Sequence, residues 1–230
     1  MSIHRALAAL RERIEAACLR CGRNPQEVAL MGVSKFHDRP AVEAAWDAGL
    51  RLFGESRVQE AERKFAGLQE ARPGTELHLI GALQRNKAKT AAGLFDCVES
   101  VDRDVLIPLL GNCSALRSAP LGILLELNAG EASKTGYPDA DALCRAAELV
   151  LGFPGLRLRG LMTMAPVTDD ARLIRRAFRA LAFARETLQS RFPEGDWSCL
   201  SMGMSGDFET AIEEGSTLVR IGTALFGERP

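Results

Sequence analysis

The chain predicts a closed (β/α)8 barrel, an α/β TIM-type fold preceded by an extra N-terminal helix. Three observations carry that prediction. Eight short apolar stretches alternate with helical stretches, and the connections between them are short. The 230 residues are close to the roughly 250 of an average barrel of this kind. No G-x-G-x-x-G follows the first strand, as an open doubly wound sheet, the alternative, would favour. With no linker, low-complexity run or composition shift, one domain over residues 1–230 is expected.

The elements follow in order. Leu7, Leu10, Ile14 and Ala17 recur at helical spacing among Arg and Glu, predicting a leading amphipathic helix over 2–20. The first strand is expected over 28–35 (VALMGVSK), and the helix after it opens at Pro40 and stops at Gly49. Strand two, 52–55, precedes a helix over 58–68; strand three, 76–83, precedes a helix over NKAKTAAGLF. Strand four spans 97–100, with Asp102 as the expected N-cap of a helix reaching Ser114. Strand five, LGILLELN at 121–128, is almost wholly apolar, as a strand covered on both faces must be. A helix over 139–151, strand six over 156–164, a long helix over 170–190, strand seven over 198–203, a helix over 207–214 and strand eight over 217–222 complete the series.

Composition excludes several classes of function. Hydrophobic residues make up 47% and charged residues 26%, ordinary globular values, and the net charge of −1 gives no reason to expect nucleic acid or an anionic membrane as partner. No apolar run approaches the ~18–20 residues of a membrane span, and the N-terminus lacks the core of a signal peptide. Six dispersed cysteines fit reduced thiols in a cytoplasm. The one CxxC, Cys18 to Cys21, has no second pair, so two structural thiols are expected rather than a metal site.

In such a barrel, ligands bind at the C-terminal ends of the strands, with phosphate near strands seven and eight. The stretch from Leu200 to Glu228 occupies that place. Ser201, Gly203, Ser205 and Gly206 cluster at one turn and Gly222 and Thr223 at the next; small residues there let a ligand approach the backbone. Arg220 lies in the apolar run 218–221 and needs a partner, since an unpaired buried guanidinium costs several kcal/mol. Strand one ends in Lys35, whose amine is a Schiff-base candidate if desolvated; alone it reads rather as a lysine snorkelling to solvent, and the phosphate cradle and Arg220 reverse that preference. Lysine, phosphate cradle and arginine together describe a pyridoxal 5′-phosphate site. A guanidinium on the ring nitrogen leaves the ring unprotonated and a weak electron sink, which disfavours strong carbanion chemistry.

The runs MGVSK (31–35), FGESRVQE (53–60), HLIGALQRNK (78–87), SVDR (100–103), GEASKTG (130–136), RGLMTM (159–164), LSMGMSGDFETAI (200–212) and GSTLVRIGTALFGER (215–229) lie in register over nearly the whole chain. On these the chain resembles the pyridoxal-phosphate homeostasis proteins, single-barrel relatives of the alanine racemase N-terminal domain. The resemblance implies that Lys35 is the aldimine lysine, that Arg220 faces the pyridine nitrogen, and that Ser201, Gly222 and Thr223 hold the phosphate. It implies a cytosolic carrier of the cofactor, with apo-enzymes as recipients and no established turnover. Ser56 stands where the family usually has Asn, which puts a ring contact from that position in doubt. Lys134, by the same resemblance, could contact the phosphate or accept the cofactor during handover; a solvated loop lysine is the other reading.

Racemisation needs a group on each face of the substrate carbanion. In alanine racemases the second is a tyrosine from a C-terminal domain; this sequence ends soon after strand eight, and Tyr137 is its only tyrosine. A carrier is therefore expected ahead of a slow racemase or transaminase. His78 is expected as a hydrogen-bonded core residue. Arg172, Arg175, Arg176 and Arg179 share one face of the long helix, read as solvated rather than as a nucleic-acid surface, with Leu173, Ile174, Ala177, Phe178 and Leu181 packing opposite. No exposed apolar stripe is legible, so a monomer is expected.

Overall fold

The computed structural model describes residues 2–129 and 135–228. Its strands are β1 (Ala29–Val33), β2 (Leu52–Glu55), β3 (Glu76–Leu79), β4 (Cys97–Val101), β5 (Leu121–Leu127), β6 (Leu156–Thr163), β7 (Cys199–Ser201) and β8 (Leu218–Ile221). All pair in parallel, in sequence order, and β8 closes on β1 with Met31 opposite Arg220. The helices are α1 (Ile3–Arg20), α2 (Arg39–Asp47), α3 (Val58–Phe65), α4 (Leu68–Ala71), α5 (Ala88–Leu94), α6 (Leu106–Ser114), α7 (Ala140–Leu151), α8 (Ala171–Arg191), α9 (Phe208–Glu213) and α10 (Thr223–Phe226). The predicted barrel and its leading helix are the observed ones. Because α10 has only four residues, it cannot cover the seam where β8 meets β1. α1 does so instead, packing on α2, α9 and α10 through buried Leu7, Leu10, Ile14 and Ala17.

Alternation along the strands sorts the side chains into two layers. Phe53, Leu77, Val98 and Leu161 face the helices and join the main core. Met31, Val33, Leu52 and Ile80 point into the barrel on one side, and Cys97, Leu124 and Met162 on the other. At Gly160, φ is +139° and an added Cβ would lie 1.9 Å from the Cys199 carbonyl oxygen. Only glycine lets β6 approach β7 there, beside the register shift between β5 and β6.

Several strands are shorter than the apolar runs predicted. β1 stops at Val33 and β3 at Leu79, and the residues after them become cavity wall rather than ladder. The expected cap at Asp102 is not made: α6 begins at Leu106, and the Asp102 carboxylate instead forks with Arg103 Nη1 at 3.0 and 2.9 Å. Asp139 and Asp170 do cap α7 and α8, accepting from Ala142 and Arg172 N–H. On α8, Leu173 is 46% exposed rather than packed. Arg175 and Arg179 are not simply solvated, since Arg175 pairs with Glu213 and Glu214 at the end of α9 and Arg179 with Glu214.

Candidate functional site

Because Lys35 continues the inward alternation of Met31 and Val33, its half-buried side chain lands on the wall of a cavity at the C-terminal mouth of the barrel. The cavity holds about 440 Å³, a size suited to a small cofactor. Arg220, Gly222 and Thr223 line it with Lys35, as do Ser205 and Gly206 of the β7–α9 turn, so residues almost two hundred positions apart meet across the closing seam. Ser56, Ile80, Met164, Met204 and Glu126 complete much of the wall.

The backbone on either side of Lys35 is held by a buried ionic cluster. Lys64 Nζ donates to the Ser34 carbonyl at 2.6 Å, to Glu55 Oε1 at 2.8 Å and to Glu60 Oε1 at 3.1 Å. Ser34 Oγ donates to Glu55 at 2.6 Å, and the Phe36 N–H donates to Glu60 at 2.6 Å. Phe36 has φ of 69°, the only positive φ at a non-glycine among the described residues. The cluster thus fixes a strained turn beside the lysine. Burial pushes the Glu55 carboxyl up, partly offset by its bonds to Lys64 and Ser34.

Arg220 is 4% exposed, and its partners are oxygen atoms of neighbouring strands. Nη1 donates to the carbonyl and to the hydroxyl of Ser201, both at 2.7 Å, and Nη2 to the Thr163 carbonyl at 2.8 Å. Burial lowers its pKa from the ordinary value, and Glu99, Glu126 and Asp207 offset part of that.

Ser201 requires a correction. It is wholly buried and absent from the cavity wall; its hydroxyl is spent between Arg220 and Glu99, where it donates to Oε2 at 2.5 Å. Ser205 supplies the wall hydroxyl that Ser201 was expected to supply. Glu55, Lys64, Glu99 and Glu126 were not singled out from the sequence. A signal was present for two of them: Glu99 and Glu126 are charges inside strands otherwise built to be buried on both faces. Ser56 does line the cavity, so the family departure falls on its wall; Gly81 is what lets this backbone close in, since a Cβ there would lie 2.2 Å from the Ser56 carbonyl. Lys134 lies outside the described residues, although Thr135 beside it reaches the cavity. Among the described residues no cluster has the make-up of a metal site, and no helix is long and apolar enough to cross a membrane.

A family model described as the alanine racemase N-terminal domain matches residues 6–230. A protein of Escherichia coli K12 named pyridoxal phosphate homeostasis protein is 43% identical, aligned over 97% of this chain and 95% of its own length. One of the same name from Vibrio cholerae is 41% identical over 99% and 97%. The chain belongs to this family. Among solved structures, PipY of Synechococcus elongatus with pyridoxal phosphate bound is 34% identical and superposes with a TM-score of 0.85 over 98% of this chain and all of that one. The alanine racemase of Bacillus anthracis shares the fold alone, at 18% identity and a TM-score of 0.70, this chain matching 57% of it.

Proposed function

We propose that this protein binds pyridoxal 5′-phosphate and serves its homeostasis, holding the cofactor at Lys35 and buffering or delivering it without strong turnover. The observation that carries the reading is the convergence of Lys35, Arg220 and the Gly222–Thr223 turn on one cavity of fitting size. The donor set suits the group. Lys35 offers an amine to the aldehyde, and Arg220 offers a guanidinium to the ring nitrogen. Gly222, Thr223, Ser205 and Gly206 form a small-residue wall for the phosphate; nothing lies within 4 Å of a Cβ added at Gly206, so that wall stands open. Ser201 acts behind Arg220 rather than on the phosphate. When bound, the cofactor supplies an aldehyde that condenses with amines and a ring that accepts electrons, weakly when its nitrogen faces a guanidinium.

The residues argue against efficient racemisation. Tyr137 is 6% exposed and lies off the cavity wall, and burial, followed by Asp104, pushes its phenol well above the ordinary range. It is poorly placed to move a proton opposite Lys35. We read residues 1–230 as one domain, acting as a monomer in the cytoplasm, where six free thiols are at home, with apo pyridoxal-phosphate enzymes as recipients.

Borohydride reduction of protein loaded with pyridoxal phosphate, followed by peptide mapping, is expected to fix the label on Lys35. A label elsewhere, or protein that ignores the cofactor, would sink the site. The same preparation is expected to show no appreciable turnover of L- or D-alanine and to release cofactor to an apo-enzyme; robust racemase kinetics would overturn the carrier reading.

A further inference from the structure

The interior of a parallel barrel is ordinarily filled with branched aliphatic side chains. Here a continuous chain of polar groups runs through it beneath Arg220. Ser201 Oγ accepts from Arg220 and donates to Glu99 Oε2. Glu99 Oε1 meets His78 Nδ1 at 2.6 Å, and His78 Nε2 meets Glu76 Oε1 at 2.9 Å. Arg159 Nη1 donates to that same Glu76 oxygen at 2.7 Å. At the far end Glu76 and Arg159 are part-exposed, while His78, Glu99 and Ser201 are buried.

We propose that His78 is a positioning residue for the cofactor pocket: clamped between Glu76 and Glu99, it sets the Glu99 carboxylate that, through Ser201, aims Arg220 at the barrel mouth. The inference rests on the pyridoxal phosphate reading of the cavity. Both imidazole nitrogens face carboxylate oxygens, and both can donate only in the imidazolium. Burial alone would lower the His78 pKa; the hydrogen bonds and charges of Glu76 and Glu99 carry it to about 9. Burial would likewise raise Glu99, but His78, Arg220 and Ser201 hold its carboxyl below the ordinary range. The other titratable groups packed around this centre are Arg159 of β6, Cys97 of β4 and Cys199 of β7; burial pushes both thiols up.

An ionised Glu99 can only accept, so it draws the single hydroxyl hydrogen of Ser201 and turns that oxygen's lone pairs to Arg220. Glu99 is also the leading charge that offsets the burial of Arg220. Without the imidazolium, the buried Glu99 loses its nearest charge partner and takes up a proton. The Ser201 hydroxyl is then free to turn, and Arg220 loses both its orientation and its counter-charge.

The test titrates cofactor-free protein with pyridoxal phosphate, by absorbance, for wild type, His78→Gln, Ser201→Ala and the double variant. Each single change is expected to weaken binding about ten-fold, the low end of what outer-shell partners contribute at other tuned sites. Each is also expected to move the band of the bound cofactor and its pH dependence. The double variant is expected to lose little beyond the larger single, because both changes cut one chain. Wild-type affinity and spectrum in His78→Gln would overturn the inference, as would fully multiplicative losses in the double variant. Should His78→Gln not fold, Ser201→Ala decides the matter, and an unchanged band overturns it. If wild type takes up no cofactor at Lys35, the parent reading fails instead. NMR of the cofactor-free protein then still tests the clamp, which falls if His78 titrates at its ordinary value.

Discussion

At Gly222 an added methyl group would stand 3.5 Å from the Val33 carbonyl oxygen and 3.7 Å from Val33 Cβ, ordinary contacts on the strand side. The substitution Gly222→Ala should therefore leave stability within about 0.5 kcal/mol of wild type while crowding the proposed phosphate wall. The expected outcome is weaker uptake of pyridoxal phosphate with an unchanged unfolding midpoint, checked by absorbance titration beside thermal denaturation. Arg220→Gln removes the guanidinium and leaves the Thr163 and Ser201 carbonyl oxygens short of a donor. It should shift the absorbance of the bound cofactor, and an unchanged spectrum would take Arg220 off the ring nitrogen. Lys35, Arg220, Gly222 and Thr223, which line one cavity, were legible because each breaks a local rule: a cation closing a buried strand, or small residues crowding a turn. Ser201 was misassigned for an equally physical reason. Ser201 closes β7 with its hydroxyl turned into the barrel interior, Ser205 lies on the turn beyond it, and a run of small residues does not show where the strand stops.

Among the elements, α3 is tied to the ends of β1 and β2 by one lysine. Lys64 is buried, and its three donors reach Ser34, Glu55 and Glu60. Replacing it with methionine leaves Glu55 wholly buried with its carboxylate unpaired, in a place where burial already pushes that carboxyl up. Breaking such a pair from one side costs about 3–5 kcal/mol. Lys64→Met should therefore lower the unfolding free energy by that amount, read as a lower urea midpoint at an unchanged slope, and Lys64→Met with Glu55→Gln should recover part of the loss. A Lys64→Met protein as stable as wild type would show that the cluster contributes nothing net. The helix expected over 58–68 is observed as α3, ending at Phe65, with α4 beyond it, and Lys64 was not singled out from the sequence. On a helix, i to i+4 spacing to Glu60 looks the same whether the pair faces water or a strand end.

Across the whole molecule, the interior chain from Arg159 to Arg220 makes stability depend on pH in a stated direction. His78 is raised from 6.5 to about 9, so its contribution is complete below the unfolded value and is lost as pH climbs through 9. Glu76 is lowered from 4.5 to about 2, with His78 the first cause, so its contribution is complete above the unfolded value and is lost as pH falls through 2. The two shifts share the His78–Glu76 contact and are not added; the His78 shift, which Glu99 also feeds, corresponds to roughly 3 kcal/mol. Wild type should lose about that much stability between neutral pH and pH 9–10, and His78→Gln should flatten this limb. Denaturant melts at a series of pH values check it; equal slopes in the two proteins would count against a charged His78.

The sequence by itself determined the strand–helix alternation, the barrel and the two halves of the cavity, because hydrophobic period, turn residues and buried cations are properties of adjacent positions. What lies across the barrel was decided only by the tertiary structure. Closure sets Lys35 beside Arg220, the end of β7 leaves Ser201 inside the barrel and Ser205 on the wall, and the register of four strands threads Glu76, His78, Glu99, Ser201 and Arg220 into one chain. A local pattern cannot specify such contacts. Each partner is near its neighbour only after the sheet has closed, and the energy of a buried charge depends on which opposite charge the closed barrel brings to it.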